Sequence, residues 1–291
     1  MSRRLVSIAV LPALFTLGNL ICGFFAIVVA ARVEAPTSAD IPTSVAIHAT
    51  GPVTMFNLLD KNDPVHNCML SGWLIFLAMI FDALDGQVAR LTRVSSDFGA
   101  QLDSLCDVVT FGVAPAFLLA KMCPSHTFEH SQRVWIIAAT FAACAAVRLA
   151  RFTAETDEND DHLHFTGLPS PAAAAAIAGF AIMFYALRND ASTLASAQAI
   201  DKFTQMILPF FGLLVAALMV SRIPYPHVVN QLLSGPRSFG HLVGIIFALT
   251  LAMTVRSYAV PIICAAFVFS GPLQYVWQEY IQRRPHKDPI F

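Results

Sequence analysis

A chain of 291 residues with 56% apolar and only 13% charged residues is not an ordinary water-soluble domain, in which about a quarter of residues carry charge. A net charge of −1 leaves no basic field to recruit nucleic acid, and the six scattered cysteines include no CxxC pair, against a disulfide framework or a zinc site. The solvent that suits such a chain is a bilayer, which each helix crosses with about 20 mostly apolar residues.

In chain order, apolar segments occupy residues 5–31, 71–92, 97–122, 134–153, 169–187, 203–220, 241–254 and 259–280. The first runs past signal-peptide length without a small-residue cleavage pattern, so it reads as a retained span. The seventh is the shortest. The expected fold is an all-α integral membrane protein with eight transmembrane helices. With the N-terminus in the cytoplasm, eleven Arg and Lys residues fall at inner ends and seven at outer ends, as the positive-inside rule prefers. Residues 32–70, rich in Pro, Thr, Ser and Asp, then form an outer loop far from the charged motif.

That motif breaks the second and third segments. Asp82, Asp85, Gly86, Ala89 and Arg90 share one helical face at 100° per residue, and Gly99, Asp103 and Asp107 share another at i, i+4, i+8. The hydrophilic turn over 92–97 folds the two helices into an antiparallel pair, so both acidic faces meet near the cytoplasmic surface. Four carboxylates gathered in a poorly hydrated place cannot all be ionised and unpaired, because like charges repel there. Oxygen-only ligands without His or Cys favour Mg²⁺, Mn²⁺ or Ca²⁺ over zinc, and a metal held this way also binds phosphate oxygens. Two isolated aspartates would suit a proton relay or an ion path equally. Four of them, interleaved with Gly, Ala and Arg, favour phosphate chemistry. Cys106 points about 100° away from Asp107 and reads as a packing residue.

Asp82 to Asp107 reads D-x2-D-G-x2-A-R-x8-G-x3-D-x3-D at every specified position, which resembles the signature of the CDP-alcohol phosphatidyltransferase family. The resemblance implies a six-helix membrane core, a homodimer, and a pair of divalent ions, Mg²⁺ or Mn²⁺, on the cytoplasmic side of a cell's inner membrane. It implies that Asp82, Asp85 and Asp103 are metal ligands and that Asp107 is a ligand, the general base, or both. It places Gly86, Ala89 and Gly99 along the CMP pocket and Arg90 on the phosphates of a CDP-diacylglycerol donor. Residues 1–230 would form the family's membrane domain and 231–291 an addition of further helices and a tail.

Three other stretches resemble the serine-transferring, integral-membrane subgroup of that family: Leu11–Gly23, Arg148–Phe152 with Phe165–Ala173, and Leu218–Pro226. L-Serine is therefore the expected acceptor, with glycerol 3-phosphate or an inositol phosphate as alternatives and an ether-lipid donor open; a metal-ion or proton transporter is the alternative from another class. Arg148 and Arg151 lie i, i+3 near the inner end of the fourth segment, where their guanidinium forks suit a carboxylate or a phosphate equally. Both also fit a plain role as membrane-surface anchors. Arg151 is favoured by its place beside an acidic loop, 155–161, which is a poor surface for a phosphorylated acceptor. His162 and His164 follow that loop. Ser170, in the turn 167–171 whose prolines suit a helix entry, is a further candidate to meet the acceptor.

Overall fold

A computed structural model describes residues 2–33, 64–92, 97–123, 128–156, 167–191, 194–223, 225 and 256–277. The regular elements among them are all helical. They are α1 (Ser2–Ala31), α2 (Pro64–Thr92), α3 (Asp97–Asp107), a π-helical segment (Val108–Val113), α4 (Ala114–Met122), α5 (Phe128–Thr156), α6 (Ser170–Asn189), α7 (Leu194–Val220) and α8 (Arg256–Val276). Among the described residues seven stretches are long and apolar enough to cross a membrane, with α3, the π segment and α4 acting as one span over Phe98–Met122. The protein is an all-helical integral membrane protein. The apolar segment 241–254, the acidic loop beyond Thr156 with His162 and His164, and most of the outer loop lie outside the described residues.

Three differences from the sequence expectation have a clear physical reason. α2 begins at Pro64 and not at 71, because proline is tolerated in a first turn and the residues that follow have a packed face, with Asn67, Cys68 and Ser71 buried. α7 begins at Leu194 and not at 203; its first turns, more polar than the rest, are held by an ion pair between Asp201 and Arg188 of α6. The third span is not uniform. Directly after Asp107 it widens into a π turn in which the Ala114 amide donates to the Val109 carbonyl, a local insertion that re-aims everything downstream.

In a bilayer, lipid tails are as apolar as leucine, so helices associate through close packing and polar contacts. α1 lies along α2, α6 is flanked by α2 and α8, and α5 packs on α7. α6 fits among its neighbours by burying Ala173, Ala174, Ala176, Ala178 and Ala181. α1 comes close to the π segment because Gly23 has no side chain; a Cβ there would overlap Thr110. The lipid-facing side is apolar, as at Ile21, Phe24, Phe25 and Ile80, each more than half exposed.

Polar contacts tie the two ends. At the end expected to be outer, the Tyr258 hydroxyl donates to Asp190 Oδ2 at 2.7 Å and Lys121 Nζ to the Val33 carbonyl at 3.0 Å. At the opposite end, the chain entering α6 docks on the chain leaving α7. The Gly167 amide donates to the Ile223 carbonyl at 2.9 Å and the Leu168 amide to the Leu218 carbonyl at 3.0 Å. Gly167 has φ of 87°, and a Cβ there would lie 2.6 Å from the Met219 oxygen and 2.7 Å from the Ser221 oxygen. A left-handed conformation and a backbone clash both oppose any side chain. Gly167→Ala should therefore destabilise the protein by at least about 1–3 kcal/mol, read as a lower melting temperature in detergent, whereas Gly86→Ala, with nothing within 4 Å of the added carbon, should not.

Candidate metal and substrate site

The acidic faces expected from the sequence do meet. Asp82 and Asp85 near the end of α2 and Asp103 on α3 each offer a carboxylate oxygen, and the three oxygens lie within 4.8 Å of one another. Asp85 is 6% exposed; the Thr16 hydroxyl of α1 and the Gly86 amide hydrogen-bond its carboxylate. Asp107, one turn beyond Asp103, stands outside this three-oxygen group but within electrostatic reach of Asp82 and Asp103. It is buried, and its Oδ1 accepts a 3.0 Å hydrogen bond from Asn19 Nδ2 of α1.

Unsatisfied atoms mark the same place. Buried polar groups in native proteins nearly always have partners. Among the described residues six buried side-chain atoms lack one, and four of them, Asn19 Oδ1, Asp85 Oδ2, Asp103 Oδ1 and Arg148 Nε, belong to the residues of this end. Two orphaned carboxylate oxygens in a trio of converging acids are the donor set of a hard divalent cation. The residues fit such an ion.

Arg148 and Ser170 come together, and Arg151 goes elsewhere. Arg148 Nη1 donates to Ser170 Oγ at 3.0 Å, and its guanidinium is close enough to feel the charge of Asp107. Ser170 is fully buried at the start of α6. Arg151 Nη1 donates to the Val220 carbonyl at 3.3 Å, where it satisfies a backbone acceptor at the end of α7. Arg148 thus lies beside the acids, and Arg151 bridges α5 to the end of α7. Gly86 leaves open space on the acidic face. Gly99 lies on α3, half-buried. Ala89 and Arg90 lie on α2, and their side chains fall outside the described residues. Cys106 is buried, as a packing residue should be.

Sequence reasoning missed Thr16 and Asn19 as parts of the site. The signal was available: a threonine and an asparagine three apart in a span that is otherwise apolar, where polar groups need partners.

Comparison with known proteins adds a second line of evidence. Residues 9–223 match the sequence model of the CDP-alcohol phosphatidyltransferase family. The chain is 35% identical over 226 residues to a CDP-diacylglycerol–serine O-phosphatidyltransferase of Methanocaldococcus jannaschii, covering 77% of this chain and 92% of that protein. It is 36% identical over 159 residues to a protein of the same name from Helicobacter pylori, covering 55% of this chain and 61% of that one. It is also 33% identical over 157 residues to an archaetidylserine synthase of Methanothermobacter thermautotrophicus, covering 53% and 57% respectively.

The acidic trio predicts that Mn²⁺ binds the purified protein without any substrate. At a hundred times its dissociation constant the ion should stabilise the fold by about 2.7 kcal/mol, seen as a rise in melting temperature. Asp103→Asn should abolish most of that rise.

Proposed function

The chain belongs to the CDP-alcohol phosphatidyltransferase family, and from that premise we propose that it transfers the phosphatidyl group of CDP-diacylglycerol to the hydroxyl of L-serine, releasing CMP. The observation that carries this reading is the match to a serine O-phosphatidyltransferase over 92% of that protein's length. The transporter alternative has no support among these relatives, and the other acceptors have none beyond the shared family.

The chemistry is a single displacement. The serine hydroxyl oxygen attacks the phosphorus attached to the lipid, the bond from that phosphorus to the bridging oxygen breaks, and CMP leaves with the bond's electron pair. Asp107 accepts the hydroxyl proton as general base, a role for which a positioned carboxylate within hydrogen-bond reach is suited. Asp82, Asp85 and Asp103, with Asp107 as a further ligand or as the base alone, would hold the metal, proposed as two ions of Mg²⁺ or Mn²⁺. Bound there, a divalent cation neutralises pyrophosphate charge and makes CMP a better leaving group. The open face at Gly86, with Ala89 and Gly99, is proposed to take the CMP moiety, and Arg90 the donor's phosphates. Most of the rate then comes from positioning and electrostatics, as in other phosphoryl transfers.

Arg148 is the proposed grip on the serine carboxylate, with Ser170 fixing its guanidinium. It meets three requirements at once: proximity to Asp107, a hydrogen bond that orients the fork, and a free buried Nε–H. Arg151 contributes by holding the end of α7 in place. We further propose that the site faces the cytoplasm of a cell whose inner membrane holds the protein, that the enzyme is a homodimer, and that the family domain ends near residue 230 with α8 as an addition.

The deciding experiment is an acceptor panel with purified protein, CDP-diacylglycerol and Mn²⁺, scoring CMP and lipid product. Serine should give phosphatidylserine, and excess EDTA should stop it; product from glycerol 3-phosphate or an inositol phosphate in preference to serine would reject the acceptor. For the carboxylate grip, Arg148→Lys keeps the charge but loses the planar fork. It should raise the KM for serine by roughly tenfold or more, equivalent to about 1.4 kcal/mol, and leave the KM for CDP-diacylglycerol nearly unchanged. Unaltered serine kinetics in that variant would remove Arg148 from the acceptor site.

A further inference from the structure

α1 lies outside the aspartate signature, yet it reaches both acidic helices. Thr16 and Asn19, three residues apart and so on one face, meet Asp85 of α2 and Asp107 of α3 respectively. Thr16 is 5% exposed and Asn19 fully buried. From the Asn19–Asp107 contact we infer that Asn19 is a positioning residue for the general base: its amide fixes one oxygen of the Asp107 carboxylate and leaves the other turned to the acceptor hydroxyl. The inference rests on the phosphatidyltransferase reading.

Three observations support it. First, a general base must be ionised, and an ionised Asp107 can only accept, so Nδ2 donates at 3.0 Å to Oδ1. Second, Asn19 is held from two sides. The Thr110 hydroxyl donates to the Asn19 carbonyl at 3.3 Å, and one turn on, bare Gly23 lets α1 approach Thr110 closely. The amide is therefore aimed by backbone placement and not by a flexible chain. Third, the contact leaves one end of the amide unsatisfied. Asn19 Oδ1 is buried without a donor, and an unmet buried acceptor of this kind costs about 1–3 kcal/mol. An apolar side chain of similar size would avoid that cost but would leave the buried Asp107 Oδ1 without its donor. What the asparagine gives in return is an oriented donor on the carboxylate that removes the acceptor's proton. The π turn that starts at Val108 belongs to the same construction, since it carries Thr110 to the α1 backbone directly after the base.

The test is Asn19→Leu, which keeps volume and deletes the donor, beside Asn19→Ser, which stays polar but is too short to span the gap. Purified variants would be compared with wild type for kcat, both KM values and Mn²⁺ affinity. Misplacement of a reacting group by an ångström is worth about 10²-fold, so kcat should fall by roughly 10- to 100-fold while both KM values and Mn²⁺ affinity stay near wild type. A role confined to packing would instead lower the melting temperature without moving kcat of the folded fraction. The inference is overturned if either folded variant turns over at near the wild-type rate, if the loss lies in KM or in Mn²⁺ affinity, or if neither variant folds. Wild type supplies the control for the underlying reading. If it prefers another alcohol, only the serine assignment fails, and the same ratio measured with that alcohol decides the role of Asn19; if it transfers to no alcohol, the reading and this inference fall together.

Discussion

The mutual repulsion of four carboxylates at one end of an apolar bundle is the constraint on which the rest of the molecule depends. Moving a single ionised carboxylate out of water is expensive, and gathering four multiplies the difficulty. Asp85 and Asp107 are buried, and Asp82, Asp85 and Asp103 bring their oxygens within 4.8 Å. Such a cluster persists only if counter-charge and donors are supplied around it. Thr16, Asn19, the Gly86 amide and Arg148 supply part of this from α1, α2 and α5. Two buried carboxylate oxygens still have no partner. Among the described residues the protein's own groups leave the cluster incomplete, and this incompleteness suits it to a divalent cation.

Bringing donors from three helices to one point requires those helices to approach closely, and small residues allow this. Gly23 lets α1 lie against Thr110, and the alanines of α6 let that helix thread between α2 and α8. The acidic end is further fixed by backbone contacts between the entry to α6 and the exit from α7, with Gly167 in a conformation that excludes side chains. Because Ser170 is the first residue of α6, this junction also sets where Arg148 is held. The junction of α6 and α7 thus controls the angle of a guanidinium beside the acids.

What was legible in the sequence follows from which forces are local. The two acidic faces could be read because helical periodicity alone puts Asp82 with Asp85 and Asp103 with Asp107, and hydropathy alone marks the spans. The start of α2 at Pro64 was hidden by its polar residues, which are drawn in by packing against α1, where Ser71 donates to the Ala26 carbonyl at 2.9 Å. The π turn after Asp107 was invisible because it depends on tertiary contacts with α1 and α5. Arg148 and Arg151 could not be told apart on a helical wheel, since 60° separates them; only the position of the Val220 carbonyl assigns one to structure.

That division between the two arginines bears on how an acceptor would be chosen. A phosphorylated acceptor presents a dianion with three oxygens and is best held by several cationic donors. Arg148, which gives one N–H to Ser170, is the guanidinium within electrostatic reach of Asp107, while Arg151 gives an N–H to the Val220 carbonyl. One fork matches one carboxylate. Serine's ammonium, in turn, would enter a region dominated by aspartates, where a cation is welcome and a second dianion beside the donor's pyrophosphate is repelled. On the proposed reading, acceptor preference is set outside the shared aspartates, where Arg148 and the Ser170 hydroxyl that orients it offer one fork to one carboxylate.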